Sequence, residues 1–405
     1  MITNPSLLQR PVRVHIEGWR FINHSYAVVN RNQLRWLMQD PRLKVSHFER
    51  PLYSANWTNN PSSKYPPEFA PALALGPEGG PLEASDWLFR CDFPYRLVRD
   101  TPANLLVMVH NEYQFIDKTK YLGRSMAEVI QDPKMFFFTP TRWSARALWE
   151  AGVPYHRVLI ASHGVDLDPN LVQAGARAQL RAKIRLEADQ HVFLNVGAGT
   201  FNKGLDMLLD AFAVHHERFP RSRMIVKGSD ELYGNAVNNC RRSPRMGRPE
   251  VPPIPADRVI YVGGDLSDQQ LQSLYALADT YVSPYRAEGF NMPVLEGLAY
   301  GMQAIVTAGG STDDFACAFD GVHLVAGERS RLADGRRFIE PDFDSLVRAM
   351  DAAAEASATK AQDLSSDRPT ASVYQQRMFH WAKVTGELAD QLWNISQSQR
   401  TGLAH

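Results

Sequence analysis

Along the second half of the chain, short apolar runs alternate with stretches whose apolar residues recur at helical spacing. VFLNVG (192–197) reads as a strand, and GLDMLLDAFAVHHERF (204–219) as the helix that follows it. RMIVKG (223–228) and RVIYVGG (258–264) are further strands, and SDQQLQSLYALAD (267–279) is a helix opened by Ser267 as its N-cap. TYVSPY (280–285) is a buried strand, Pro293 fits the first turn of a helix, Gly301 suits the residue past its end, and AIVTAGG (304–310) is the next strand. Alternation of this kind implies a parallel, doubly wound α/β sheet whose ligand lies at the carboxyl ends of the strands. The polar stretch 230–257, which includes RRSPRMGRPEVPPIP, reads as an exposed insertion.

The first half has the same style with less regularity. VRVHIEG (12–18) is a first strand, NQLRWLMQ (32–39) suggests the following helix, and LLVMVH (105–110) is an apolar strand ending on a histidine. FFFTPTRWSARALWEAGV (136–153) supplies another strand and helix, and RVLIASHGVD (157–166) runs towards a boundary. A chain of 405 residues exceeds one ordinary core, so two domains are expected, 1–180 and 181–375, with the hinge between Gly164 and Gln190. A final helix within 373–393 is expected to return to the first domain, so that 376–405 belongs with it.

Composition narrows the class. Lys+Arg and Asp+Glu both number 44, and this neutrality argues against a nucleic-acid partner. Cys91, Cys240 and Cys317 are scattered without metal-type spacing, which suits a reducing cytoplasm. The first residues lack a basic region followed by an apolar one, and no apolar run is long enough to span a bilayer. The sequons at Asn23, Asn56 and Asn394 then read as chance.

The chemistry concentrates in EGFNMPVLE, where Glu288 and Glu296 stand eight positions apart across a strand–turn–helix junction. Such a junction aims backbone N–H groups and a positive helix end at one point, which favours a phosphate. The two carboxylates can accept hydrogen bonds from hydroxyls on either side of it, as a nucleotide sugar would present them. The same glutamates would also simply complement a helix dipole. Lys203, in the turn GTFNKG, can neutralise a diphosphate, and Lys227 closes the next strand towards the same place. Both would otherwise be solvated lysines. His110 ends an apolar strand, where a histidine either faces substrate or is a satisfied structural one. Gly18 ends the first strand, where the missing side chain would admit a ligand.

These features resemble the retaining nucleotide-sugar glycosyltransferases of family 4, with the GT-B architecture of two Rossmann-like domains facing a central cleft. The resemblance rests on SHGVD (162–166), NVGAGTFNKGLDMLLDAF (195–212) and YVSPYRAEGFNMPVLEGLAYGMQAIVTAGG (281–310), with weaker matches in TPTRWSARALWEAGVP (139–154) and FHWAKV (379–384). It implies an acceptor-binding first domain and a donor-binding second one. Glu288 would contact the donor sugar, the backbone of Asn291, Met292, Pro293 and Val294 would bind the diphosphate, and Gly289 and Phe290 would belong to the same donor site. Glu296 would take the ribose, Lys203 a phosphate, Val262 the neighbourhood of the base, His110 the transferred sugar and Gly18 the phosphate. The resemblance further implies a UDP- or GDP-linked donor, no cofactor or metal, and a saccharide or lipid-linked acceptor in polysaccharide or glycoconjugate synthesis. The protein would then be cytoplasmic, with peripheral contact at the inner face of the membrane open to it.

Two departures bear on the site. Ala198 stands where the family commonly has an arginine, so Lys227 is expected to supply the second positive charge. EGWRFINHSY (17–26) replaces a usual glycine pair, which makes Ser25 and Tyr26 candidates for contact with the acceptor or the donor, the acceptor being the expected one. The aspartates of DLD (166–168) read as structural at a boundary. Two rival readings are an epimerase of the same fold, which would form product without an acceptor, and a catalytically silent nucleotide-sugar-binding protein.

Overall fold

The structure, a computed structural model, describes residues 10–77, 79–241, 251–360 and 377–402. Within the chain, Met1–Gly164 with Phe379–His405 form one compact unit and Val165–Met378 a second. Part of the expected insertion, 242–250, and the start of the expected final helix, 373–376, lie outside the described residues.

The first unit is built on six parallel strands: β1 (Val12–Gly18), β2 (Leu43–Glu49), β3 (Trp87–Cys91), then, after the short β4 (Tyr95–Arg96), β5 (Asn104–Met108). After the short β6 (Tyr121–Leu122) come β7 (Met135–Thr139) and β8 (Val158–Ile160), and β4 pairs with β6 in a separate ribbon. The sheet order is β2-β1-β3-β5-β7-β8. β3, β5 and β7 are buried at every position, as strands covered on both faces must be. The helices are α1 (Ser25–Leu37), α2 (Ala70–Ala74), α3 (Met126–Gln131) and α4 (Arg142–Glu150). The C-terminal helix, Trp381–Thr401, is opened by the His380 side chain, which accepts from Ala382 N. It lies beside α1, and the buried Trp87 indole of β3 donates to Ser396 Oγ at 2.9 Å. α1 begins at Ser25 rather than near Asn32, because the His24 ring accepts from Tyr26 N and supplies an N-cap that the apolar pattern does not show.

The second unit carries β9 (Val192–Val196), β10 (Arg223–Lys227), β11 (Val259–Val262), β12 (Thr280–Ser283), β13 (Gln303–Thr307) and β14 (Val322–Val325), all parallel. Their order, β11-β10-β9-β12-β13-β14, reverses direction between β9 and β12, which is the switch point where such sheets bind ligands. β15 (Gly327–Arg331) and β16 (Arg337–Pro341) form a separate antiparallel hairpin. The helices are α5 (Ala176–Lys183), α6 (Leu205–Arg218), α7 (Asp230–Tyr233), α8 (Ala236–Arg241), α9 (Asp268–Leu277), α10 (Met292–Ala299) and α11 (Phe343–Lys360). On one face Phe193, Met224, Val226, Val282 and Ile305 pack with Leu208, Phe212, Leu346 and Met350 of α6 and α11. Tyr281, next to Val282, points to the other face. There Gly297 of α10 packs so closely that a Cβ would lie 3.1 Å from Tyr281 Cβ. Among the described residues no helix is long and apolar enough to cross a membrane.

Candidate functional site

The carboxyl ends of β9 and β12 carry two loops that are tied to each other. Residue 202 ties them: its carbonyl accepts from Arg286 N at 2.7 Å and from Ala287 N at 3.2 Å, while its side-chain amide donates to Ala287 O at 3.2 Å. Thr200 Oγ1 donates to Asn202 Oδ1 at 2.7 Å and holds that amide in place. Gly204, at φ +68°, is the closing element. A Cβ there would lie 2.0 Å from Pro284 O, so only glycine lets the start of α6 reach β12. These loops bring Lys203 onto Glu288, with Lys203 Nζ donating to Glu288 Oε1. Glu288 is buried, whereas Lys203 is about a third exposed and its stem crosses Gly197.

Beneath them lies a group the sequence analysis did not single out. Arg286 is buried and forms bidentate pairs with Asp206 of α6 (2.7 and 2.9 Å) and Glu340 of β16 (2.7 and 2.9 Å). It also donates to Phe201 O and lies over the Phe201 ring. Two carboxylates around one guanidinium hold its pKa above the usual value. Its partners are 80 and 54 residues away, so no local motif announces it.

Asn291 takes the left-handed conformation (φ +76°), which asparagine tolerates better than most residues, and opens α10. Its side chain does not cap the helix; it turns back to donate to Ser283 Oγ at 2.9 Å. Met292 is the first helical residue and Pro293 the second, so Pro293 offers no N–H. Val294 N is already bonded to Asn291 O at 3.0 Å. Gly289 lies in the turn, and Phe290 is buried and stacked on Phe315. One turn into α10, Glu296 accepts from Tyr275 of α9 at 2.6 Å. Part of the Glu296 side chain stays accessible, but burial, with a smaller contribution from the Asp268 charge, raises its pKa to about 7.

The remaining candidates of this unit behave differently. Lys227 ends β10 buried, with its ammonium donating to the Gly228 carbonyl and its pKa lowered by burial. Val262 ends β11 on the edge strand, two strands from the switch point. Ala198 is buried, and a Cβ on the next residue, Gly199, would meet Ala236 O at 2.1 Å, so α8 closes over this loop. Asp168 anchors chain within the unit: its N–H donates to Gln272 Oε1 at 2.8 Å and its carboxylate accepts from Asn170 and Gln269. Among the described residues no group of three or more His, Cys, Asp or Glu is arranged to hold a metal ion.

In the first unit His110 lies two residues beyond the end of β5, half-buried, with Nε2 2.9 Å from His163 Nε2. His163 is fully buried among Phe138 and Trp381, and burial pushes its pKa well down, so the neutral ring is the stable one. The His110 backbone is fixed by Tyr95, whose hydroxyl accepts from His110 N at 3.0 Å. Tyr26 is buried with its hydroxyl 2.8 Å from that of Tyr95, and its ring meets His110 edge-on; it supports His110 from below. Ser25 is exposed at the start of α1. Gly18 leaves no room for a ligand in place of a side chain: a Cβ would lie 2.6 Å from Cys91 O and 2.9 Å from Asn30 Nδ2, so the glycine serves the packing of β1 on β3 and α1.

Residues 190–335 match the family described as glycosyl transferases group 1. Mannosylfructose-phosphate synthase of Agrobacterium fabrum is 28% identical over 143 residues, 34% of this chain; the match spans 30% of that relative's length. Three solved structures share the whole architecture. Sucrose-phosphate synthase from Thermosynechococcus elongatus is 18% identical with a TM-score of 0.61, covering 95% of this chain and 100% of that one. A glycosyltransferase from Rickettsia africae gives 12% and 0.63, covering 95% and 99%. Anabaena HepE, in complex with UDP and glucose, gives 13% and 0.58, covering 95% and 100%. The chain therefore has the GT-B fold, two Rossmann-like domains with parallel sheets.

Proposed function

We propose that this protein is a retaining glycosyltransferase that moves a sugar from a UDP- or GDP-linked donor to a hydroxyl of a saccharide or lipid-linked acceptor, without a metal. The observation that carries the reading is the Lys203–Glu288 pair, held by tied loops at the switch point beside a helix start without a side-chain cap. The match over 190–335 and the likeness to Anabaena HepE, solved with UDP and glucose, support a nucleotide-sugar donor.

The chemistry follows from charge. The bond between the anomeric carbon and the diphosphate oxygen breaks, and its electron pair leaves with the diphosphate. The Lys203 ammonium and the N-terminal end of α10 stabilise that charge in advance. Glu288 receives donor hydroxyls and Glu296 the ribose. The acceptor oxygen bonds to the anomeric carbon on the face the diphosphate leaves, and its proton passes to the departing oxygen. His110 serves the transferred sugar, with His163 setting which ring nitrogen carries its proton. The second unit takes the donor and the first the acceptor, in the cytoplasm, in polysaccharide or glycoconjugate synthesis.

The test is a thermal-shift screen of UDP, GDP, ADP and their sugar conjugates in EDTA, beside Lys203→Ala. One nucleotide at a hundredfold excess over its Kd should stabilise the protein by roughly 2.7 kcal/mol. Lys203→Ala should weaken it by roughly 1.5–3 kcal/mol, about 10- to 150-fold. No shift with any nucleotide refutes the reading.

A further inference from the structure

The carboxyl ends of three adjacent strands in the first unit, β2, β1 and β3, carry an unusual density of aromatic rings. Trp19 and His24 follow β1, Tyr53 and Trp57 follow β2, and Phe93 follows β3. The rings touch in series: Tyr53 to Phe93 at 5.1 Å and to Trp57 at 6.1 Å, Trp57 to His24 at 5.3 Å, and His24 to Tyr26 at 5.5 Å. Tyr26 then meets His110 at 4.9 Å. Trp19 is fully buried under this row and is locked by its indole N–H donating to Pro51 O at 2.9 Å. The outer end is open, since Tyr53 is 58% exposed and Trp57 only half-buried. A single exposed ring would carry no meaning, but a contiguous aromatic row that runs out into water is the kind of patch that marks a binding surface.

The polar groups beside the row have a matching character. The Arg50 guanidinium, partly exposed, lies 3.7 Å from the buried Asp92 carboxylate. Aromatic faces with a few fixed donors and acceptors suit a flat ligand with apolar C–H faces and a hydroxyl rim. A sugar ring has that form. Asp92 also accepts from Arg96 at 3.2 Å, so both signs of charge are present beside the row, whereas a nucleoside diphosphate calls for a cluster of positive charge alone. An acyl chain would gain nothing from the ion pair.

We infer that this row is a saccharide-binding floor: the acceptor is an oligosaccharide whose rings stack on Trp57 and Tyr53 and whose end reaches His110. This deepens, and rests on, the proposed sugar transfer, for which it names the acceptor class and two residues that select it.

Calorimetry and saturation-transfer NMR with methyl glucosides and mannosides and with di- to tetrasaccharides of glucose and mannose test it, nucleotide binding being measured in parallel. One of these series should bind with affinity that grows with length, with saturation strongest on the C–H protons of one ring face. Trp57→Ala and Tyr53→Ala should each weaken binding roughly three- to tenfold, the range of one aromatic contact, while Trp57→Phe and Tyr53→Phe retain most of it. Nucleotide affinity should be unchanged in all four. Because Tyr53 is exposed, its substitution leaves the fold intact even if that of Trp57 does not. Absence of saccharide binding, equal binding by the alanine variants, or binding only to a lipid carrier with free sugars inert would each overturn the inference. Loss of nucleotide binding in the unmodified protein would instead refute the transferase reading and leave the saccharide arm readable.

Discussion

Glu296→Gln should abolish a loss of stability that the native protein suffers as the pH rises. Burial raises this carboxyl from 4.5 to about 7. Below pH 4.5 folded and unfolded chains both hold the proton, and the group does not affect folding. Between 4.5 and about 7 the folded chain keeps a proton that the unfolded chain releases, so stability falls with rising pH; above that range the loss is complete. At 1.36 kcal/mol per pKa unit the full loss is about 3 kcal/mol. The accessible part of the side chain admits screening, so about 1.5 kcal/mol is a fair lower figure. Glutamine keeps the shape and still accepts from Tyr275, but it cannot titrate. Scanning fluorimetry of both proteins at pH 5 and pH 8.5, in EDTA, reads the difference between their curves, and other titrating groups cancel. At 2–4 °C per kcal/mol for a unit of this size, the native protein should lose about 3–12 °C more than the variant. Ligand binding must show the opposite slope. In the proposed site ribose hydroxyls would donate to the ionised carboxylate, so donor affinity should increase as the pH passes 7 in the native protein and stay flat in the variant. Parallel melting curves would refute the argument from burial.

Two further substitutions probe the scaffold of the site. Gly204→Ala adds a side chain in a left-handed conformation 2.0 Å from Pro284 O; it should cost at least about 2 kcal/mol in urea unfolding and weaken nucleotide binding, and a native-like variant would mean the tied loops do not depend on that approach. Arg286→Met leaves Asp206 and Glu340 facing each other. Because Glu340 is partly exposed, about 2–3 kcal/mol should be lost, less than for a fully buried network, and Arg286→Lys should recover only part of it because lysine cannot bind two carboxylates bidentately.

The junction between β12 and α10 was legible because proline and glycine restrict the backbone so strongly. Pro293 and Gly301 bracket α10, observed as Met292–Ala299 with Gly301 at φ +74°. Ser267 opens α9 with a capping box to Gln270. The first unit was harder to read for reasons visible in its residues. β2 carries Lys44, Ser46, His47 and Glu49 on an edge strand, and β3 holds Arg90, so neither has an uninterrupted apolar run. β5 stops at Met108, and His110 stands beyond it, although the sequence stays apolar through Val109. Arg286 was invisible because its meaning lies in distant partners. Gly18 has a good reason to be glycine, but the reason is Cys91 and Asn30, which the strand's own sequence cannot reveal.

The start of α10 has a thermodynamic consequence. Asn291 belongs to the residue types that cap helices well, yet its amide is committed to Ser283. A side-chain cap would also find little to hold, since Pro293 has no N–H and Val294 N is already bonded to Asn291 O at 3.0 Å. An anion seated there would therefore meet the positive end of the helix more than orphan N–H groups, an attraction of charge and dipole that weakens as salt is added. The first turn of α10 is thus held by its own backbone and by proline, and it is already in shape before any anion arrives.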